Sequence, residues 1–343
     1  MINIDNHMYA ESVTLRGPLA RALRGAGILA YWQTDSSVAR SYLKQSLLLS
    51  RDLDDKSGIA GTLSYLGGLA YIEADYSLAR SLFEQSLHIS RQLADRVRTA
   101  QFLENLTWID LIRGDLAAAR SLIEESLVMR RDLDDKGGII KSLLLLGRVT
   151  LQQGNHRVAR STLRQGLNLS QKMGNRAGIA DALNYLGTLA YLEADYLLAR
   201  ELYEESLALN RELGDKWSIA WVLSTLGNLA FAEKDFSEAS SLFEQSVSLR
   251  SEFGDKLGVA VCLSGLGGVA VELLRAKRGA QLLGAAEVIL QASGAVLQLD
   301  DEVTYDRAVA SARAKLSEDD FENAWQEGRA MSVEEAVSYA LRD

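Results

Sequence analysis

The 343-residue sequence contains very little proline, cysteine or histidine: one proline, one cysteine and three histidines. A lone cysteine excludes a disulfide framework within the chain, and the apolar neighbours of Cys262 predict a buried small side chain. No histidine has a second His, Cys or carboxylate at a metal-ligand spacing, so the sequence predicts no metal site. One proline in a chain with 48% hydrophobic residues is typical of a folded, helical protein.

Membrane-spanning and nucleic-acid-binding features are also missing. The sequence has no run of 18 or more apolar residues and no signal peptide. Its net charge of −9 is the opposite of a nucleic-acid footprint. These absences predict a cytoplasmic protein with no membrane partner and no direct nucleic-acid partner.

Catalytic motifs are absent as well. There is no G-x-S-x-G turn and no G-x-x-x-x-G-K-[ST] phosphate loop. Five serines recur in phase with one another, which indicates a packing role and not a nucleophile: Ser46, Ser86, Ser126, Ser206 and Ser246. The sequence therefore predicts no enzyme and no cofactor.

A 40-residue repeat dominates the sequence. The stretch Gly58–Arg96 returns as Gly178–Lys216 and again as Ser218–Lys256. A fixed period in this range is the signature of a repeat architecture. Within one repeat, Leu63, Leu66, Gly67 and Ala70 share one face of a predicted first helix.

A glycine in the middle of this first helix recurs in nearly every repeat. Because glycine costs up to about 1 kcal/mol in a helix interior, its recurrence predicts close approach of a neighbouring helix. The positions are Gly27, Gly67, Gly147, Gly187, Gly227 and Gly267, with Thr107 as the exception. The second helix carries a small residue in phase, at Ala39, Ala79, Ala119, Ala159, Ala199 and Ala239. Repeats end on patterns such as Leu213-Gly214-Asp215-Lys216, which predict a helix stop followed by a basic residue beyond the C-terminus.

This pattern resembles the tetratricopeptide repeat, although with 40 residues in place of the usual 34 and no closing proline. The resemblance covers Gly17–Gly294 and implies an all-α superhelical solenoid of about seven helical hairpins. We expect an N-terminal extension at residues 1–16, seven repeats at 17–294 and a C-terminal helical cap at 295–343. Pro18 is predicted to lie in the first turn of a helix.

The predicted cap contains three helices. Tyr305, Ala308 and Ala312 follow helical spacing, Ser317 is a predicted N-cap, and Ser332 with Glu335 forms a predicted capping box. At the other end, Tyr31 and Trp32 have little sequence before them to cover them, so self-association through an uncapped N-terminal edge is possible.

The repeats and tail together also resemble the C-terminal region of a group of bacterial regulators. This group comprises predicted signalling ATPases and LuxR-type or streptomycete-antibiotic-type transcriptional regulators with MalT-like repeats. The chain lacks a phosphate loop and a recognisable DNA-binding helix-turn-helix. The resemblance therefore implies a sensing or docking role and carries over no nucleotide or DNA site.

In tetratricopeptide arrays the concave groove is lined by recurring positions of the first helices. Here these positions hold candidate binding residues, some charged and some aromatic: Arg21, Arg24, Glu104, Trp108, Lys141, Arg148, Asn184, Trp221 and Asn228. A simpler interpretation is that they are solvated polar residues. The sequence predicts a non-enzymatic scaffold with a protein or peptide ligand in the groove, and the alternative is a receptor for a small ligand or short peptide.

Overall fold

The computed structural model describes residues 2–342, and the side chains of residues 15–342. All regular secondary structure in residues 2–342 is helical, which confirms the all-α prediction. The chain divides into two compact units, Met1–Ile109 (unit 1) and Asp110–Asp343 (unit 2).

Unit 1 contains four complete helices and most of a fifth, inside which the boundary falls. They are α1 (Ile2–Trp32), α2 (Ser36–Asp52), α3 (Lys56–Ile72), α4 (Tyr76–Gln92) and α5 (Arg96–Ile112). The helices pack as antiparallel neighbours in the pairs α1/α2 and α3/α4.

Unit 2 contains the remaining helices of the described chain. They are α6 (Leu116–Asp132), α7 (Lys136–Gln152), α8 (His156–Lys172), α9 (Arg176–Leu192), α10 (Tyr196–Leu213), α11 (Lys216–Ala232), α12 (Phe236–Phe253), α13 (Lys256–Glu272), α14 (Ala276–Ser293), α15 (Leu299–Lys315), α16 (Glu318–Arg329) and α17 (Val333–Ala340). The pairs α7/α8, α9/α10, α11/α12 and α13/α14 form the predicted hairpins.

The mid-helix glycines have the predicted packing role. A Cβ built on Gly67 would lie 2.6 Å from Cε1 of Phe83, and one built on Gly227 would lie 2.8 Å from Cε1 of Phe243. Each glycine therefore makes room for a large side chain of the second helix in the same hairpin. The in-phase alanines and serines are buried, and the Ser206 hydroxyl donates to the Ala180 carbonyl at 2.8 Å.

The turns between helices contain the predicted helix stop and, in addition, the N-cap of the next helix. Gly214 adopts a left-handed conformation (φ 68°) and ends α10 as expected. Asp215, however, is the N-cap of α11, where its carboxylate accepts a hydrogen bond from the Ser218 amide. Lys216 lies beyond the C-terminus of α10, as expected, and is also the first residue of α11. Only Gly214 and Asp215 separate α10 from α11, so the C-cap of one helix is followed directly by the N-cap of the next.

The prediction for Pro18 is wrong. Helix α1 begins at Ile2 and Pro18 lies in its interior, although proline there removes one backbone hydrogen bond. Residues 2–16 carry no repeat pattern, so no periodic signal predicted this part of the helix.

The C-terminal residues form three helices, α15 to α17, which pack on the last hairpin. Ala308, Ala312 and Phe321 are fully buried against residues of α13 and α14. The predicted Ser317 N-cap and the Ser332–Glu335 capping box are both present. The one acidic side chain of α14, Glu287, accepts hydrogen bonds from Trp325 and Arg329 of α16.

None of the helices in the described part of the chain combines the length and the apolar character that crossing a bilayer requires.

Candidate binding site on the first helices of unit 2

The nine predicted site residues divide between the two units. Unit 1 holds Arg21 and Arg24 on α1 and Glu104 and Trp108 on α5. Arg21 is exposed, Arg24 and Trp108 are half-buried, and Glu104 is buried. Unit 2 holds the other five, on α7, α9 and α11.

Arg148 is the centre of the unit 2 cluster. Its guanidinium carbon lies 4.1 Å from the centroid of the Trp221 ring and 5.5 Å from that of Tyr185. The two rings contact each other edge to face, with centroids 5.6 Å apart. A guanidinium held on aromatic faces keeps its charge and much of its hydrogen-bonding capacity. The arrangement therefore positions a cation from α7 against aromatic groups of α9 and α11.

Two basic side chains of α7, the exposed Lys141 and the half-buried Arg148, affect the pKa of the same acidic side chain, Asp181 of α9. Burial raises the pKa of Asp181 to about 7, the negative charge of Asp215 adds to this, and Lys141 and Arg148 oppose it. The positive charges of Lys141 and Arg148 therefore offset part of the effect of burial on the pKa of Asp181. The effect of burial on the pKa of Asp181 is larger than the opposing effect of the two cations.

The two asparagines of the cluster have different roles. Asn184 is buried, and its side-chain oxygen accepts a hydrogen bond from the Thr225 hydroxyl at 3.3 Å, which joins α9 to α11. Asn228 is also buried, and its amide nitrogen donates to the Asp301 carboxylate at 2.9 Å. Asn228 therefore contacts a residue from the C-terminal part of the chain.

A short C-terminal segment, residues 295–304, lies along these helices. The Val296 amide donates to the Ile112 carbonyl at 2.8 Å, and the Leu299 amide donates to Oε1 of Gln152 at 3.2 Å. Arg148 donates to Oε1 of Gln298 at 3.4 Å. We call the α7–α11 surface the set of Arg148, Gln152, Asn228 and the Ile112 carbonyl, which contact this segment, together with Trp221, whose ring lies against Arg148.

Sequence reasoning singled out Arg148, Trp221 and Asn228 but missed Gln152, and it placed segment 295–304 in the cap without its contacts to these helices. Residues 295–298 are not helical and carry no periodic pattern. Their contacts join positions about 150 residues apart in the chain, and a single sequence holds no local signal for such a pairing.

The acidic end of the segment is buried. Burial raises the pKa of Asp301 to about 7, with a further increase from the charge of Asp300, while the hydrogen bond from Asn228 and the charges of Arg250 and Arg148 lower it. Burial also raises the pKa of Asp300, against the effect of Arg148. The α7–α11 surface thus accommodates a protonated carboxyl or a carboxamide more readily than a pair of carboxylates.

No group of three or more His, Cys, Asp or Glu side chains with metal-binding geometry occurs among the residues that the structure describes. The one cysteine, Cys262, is buried as predicted, and burial raises the pKa of its thiol to about 11. A thiol of this kind is a structural and unreactive group.

Comparison with known proteins supports the repeat interpretation for part of the chain. Residues 178–252, which include most of α9 to α12, match the tetratricopeptide-repeat family model. A 74-residue stretch is 35% identical to a protein of Mycobacterium tuberculosis whose name makes it a candidate HTH-type transcriptional regulator. This match covers 22% of the chain and 8% of that protein, so the chain spans a small part of the length of the curated relatives it matches.

Solved structures share the fold at low sequence identity. Aspartyl phosphate phosphatase F from Bacillus subtilis superimposes with a TM-score of 0.62 at 13% identity, over 97% of this chain and 75% of that one. The Rap conjugation gene regulator of plasmid pLS20, in complex with the Phr* peptide, gives a TM-score of 0.58 at 12% identity, over 87% and 96%. The fold is therefore an all-α solenoid of tetratricopeptide type.

Proposed function

We propose that this protein is a non-enzymatic scaffold that binds a protein or peptide ligand on the α7–α11 surface. The observation that carries the proposal is the cluster around Arg148. A cation of α7 is held on the Trp221 and Tyr185 rings, and the Asn228 amide of α11 donates to a carboxylate of the C-terminal segment. Tryptophan, tyrosine and arginine are the residue types that dominate binding energy at protein interfaces.

The surface also offers groups that fit a peptide backbone. The Ile112 carbonyl and the Gln152 side-chain oxygen both accept main-chain amide hydrogen bonds from segment 295–304. Main-chain pairing supplies affinity for an extended peptide without regard to its sequence, and nearby side chains then supply specificity. The same groups favour a peptide ligand over a rigid small molecule.

The comparisons support a regulatory context. A solved structure with the same fold is a conjugation gene regulator in complex with a peptide, and the curated relative carries the name of a transcriptional regulator. We infer that the chain is the sensor or docking region of a bacterial signalling or transcriptional regulator, and that it acts in the cytoplasm. In this proposal residues 17–294 are the repeats and residues 295–343 the cap.

The second candidate function is a receptor for a small ligand or short peptide at the same surface. The guanidinium of the half-buried Arg148, held over Trp221, would suit an anionic group on such a ligand. Partner size separates the two candidates, because a protein ligand survives dialysis of a lysate and a small ligand does not.

The binding test uses charge variants of α7. Lys141→Ala and Arg148→Ala should each weaken binding of a captured partner by about 1–3 kcal/mol if these side chains contact an acceptor group. Arg164→Ala, an exposed cation on the second helix α8, is the matched control and should leave affinity unchanged. Equal affinity of all three variants and the parent, measured by titration calorimetry, would place the ligand elsewhere.

Self-association through α1 is a further proposal about partners. Leu15, Leu19, Leu29 and Trp32 of α1 are all at least half exposed, with Trp32 at 71%. Exposed apolar side chains on one terminal helix favour contact with a second copy. A Trp32→Ser change should lower any dimer fraction seen by sedimentation velocity, and a parent chain that stays monomeric at high concentration would refute the idea.

A further inference from the structure

Segment 295–304 meets the α7–α11 surface in the way that a bound peptide would. Residues 295–298 are not helical, Gln298 has an extended backbone, and the Val296 main-chain amide donates to the carbonyl of Ile112. A Cβ built on Gly114 would lie 3.2 Å from Cγ2 of Val296, so this valine packs directly on the turn after α5. Four and five positions later, Asp300 and Asp301 are placed beside Arg148 and Asn228.

The rest of the C-terminal region is anchored independently of this segment. Ala308 and Ala312 of α15 are fully buried with Val271 and Leu283. Lys315 donates to the Val271 carbonyl at 3.0 Å, and Ser311 donates to Glu272 at 2.7 Å. Helix α15 can therefore keep its C-terminal half in place while its N-terminal turns and residues 295–298 leave the surface.

The docked segment also carries an energetic penalty. Asp300 is buried, and Asp301 beside it is partly buried, so two adjacent acidic groups share one site. Burying a charged group is costly unless it is well paired, and two neighbouring carboxylates repel each other. The contact is therefore less stable than an apolar one of the same size, as a displaceable segment requires.

We propose that residues 295–304 are a built-in ligand of the α7–α11 surface, which a partner peptide of the same chemistry displaces. Such a peptide is non-helical where it pairs with the Ile112 carbonyl and continues into a helical turn, as residues 295–298 and the start of α15 do. It presents an apolar residue and, four or five positions later, a carboxyl or carboxamide group for Asn228. This inference rests on the proposed binding function and specifies both its ligand class and its regulation.

A reversible engineered disulfide between segment 295–304 and the turn after α5 tests the proposal directly. The double variant Gly114→Cys with Val296→Cys places two thiols within reach of a disulfide. The only native cysteine, Cys262, is buried and does not compete. The probe is a fluorescent peptide of sequence AVLQLDDEVT (residues 295–304), and its binding is followed by anisotropy. The single variant Val296→Cys, treated with the same oxidant, is the matched control.

The proposal predicts that the reduced double variant and the single variant bind the peptide, and that oxidation of the double variant weakens this binding at least tenfold. Equal binding before and after oxidation would overturn the proposal, and so would the absence of binding to any form at millimolar peptide. Hydrogen exchange gives a second readout, in which amides 296–301 exchange faster than amides 308–312. Similar protection of both stretches would mean that the segment is a fixed part of the cap.

The pH dependence distinguishes carboxyl recognition from non-specific binding. The groups that face Asp301 are Asp300, Arg148, Arg250, Tyr191, Tyr203 and Cys262. Since the pKa of Asp301 is about 7 when docked and about 4 when free, docking is strongest below pH 4 and weakens as pH rises to about 7. The peptide AVLQLNNEVT should show no such loss, and a parallel loss for both peptides would exclude the carboxyl contact.

The failures of the two proposals are distinguishable. If the affinity of a partner depends on Lys141 and Arg148 but not on oxidation of the engineered disulfide, the proposed binding function stands and the built-in ligand is refuted. If instead the peptide binds only the reduced form, and Arg148→Ala leaves the affinity of a cellular partner unchanged, the built-in ligand stands and the proposed binding function is refuted.

Discussion

At the scale of single residues, the mid-helix glycines decide how closely two helices of a hairpin can pack. Two effects of opposite sign act when alanine replaces Gly67. Helix propensity would stabilise the fold by up to about 1 kcal/mol. The added Cβ would lie 2.6 Å from Phe83, and overpacking of this kind costs about 1–3 kcal/mol.

We therefore expect Gly67→Ala to lower the free energy of unfolding, because the steric term is the larger. Gly25→Ala is the matched control, since Gly25 also lies in a helix but has no atom within 4 Å of a built Cβ. It should stabilise the fold by about 0.4–1 kcal/mol. Chemical denaturation measures both changes, and a stabilising Gly67→Ala would show that the glycine has no packing role.

Substitution of the adjacent acidic residues Asp134 and Asp135 should have different effects on the free energy of unfolding. Asp135 caps α7, and it also pairs with Arg130 at 2.6 Å, so Asp135→Ala should cost about 1–2 kcal/mol. Asp134 has a positive φ of 47°, a conformation that glycine adopts without strain. Asp134→Gly should therefore be neutral or stabilising, as measured by thermal unfolding, and a loss equal to that of Asp135→Ala would refute the assignment of the cap.

The contribution of Asp135 should depend on pH. The hydrogen bond from the Gly138 amide, together with Arg130, holds the pKa of Asp135 below its usual range, although partial burial opposes this. A depressed folded-state pKa means that the stabilisation is present above the unfolded pKa of about 4 and is lost as pH falls below it. The difference in stability between the parent and Asp135→Asn should accordingly shrink on acidification.

At the scale of elements, α16 covers the apolar helix α14 through a backbone-to-backbone contact. A Cβ built on Gly328 of α16 would lie 1.9 Å from the Gln281 carbonyl oxygen of α14, and one on Gly284 would lie 2.4 Å from the Trp325 carbonyl oxygen. No side-chain movement can relieve a clash with backbone atoms. The two helices must separate if either glycine gains a side chain.

Gly328→Ala should therefore uncover α14 and promote aggregation, because the helix carries Leu282, Leu283 and Ile289 on its buried faces. Light scattering and dye binding measure the exposed apolar surface. Gly294→Ala serves as the control for a glycine outside this contact, since no atom lies within 4 Å of its built Cβ; its positive φ limits the expected loss to local strain. A Gly328→Ala protein as monomeric and stable as the parent would show that α16 is no cover.

At the scale of the whole molecule, the sequence predicted the elements that repeat and missed the contacts that do not. The period placed Gly67, Ala79 and Ser206 correctly, because each recurs in the same structural context along the chain. Segment 295–304 occurs once, so its pairing with Gln152 and Asn228 had no counterpart from which to be inferred. The helix before Pro18 was missed for the same reason.

In the candidate site, too, the sequence predicted recurring positions but not the contacts of individual side chains. Arg148 and Trp221 were found because variable residues at recurring positions stand out against constant packing residues. Their stacking and the burial of Asn184 between α9 and α11 depend on side-chain geometry that spacing alone does not specify. The described helices thus confirm the fold, while a ligand-binding role for these residues stays a proposal.

Site-specific photo-crosslinking shows whether the α7–α11 surface holds the partner. A photoreactive phenylalanine analogue would replace Lys141, which is exposed on α7 beside Arg148, or Arg164, which is exposed on α8. After irradiation in the cells that express the protein, we expect a discrete covalent adduct from position 141 that an Arg148→Ala change reduces, and none from position 164. Adducts from position 164 with none from position 141 would contradict this expectation.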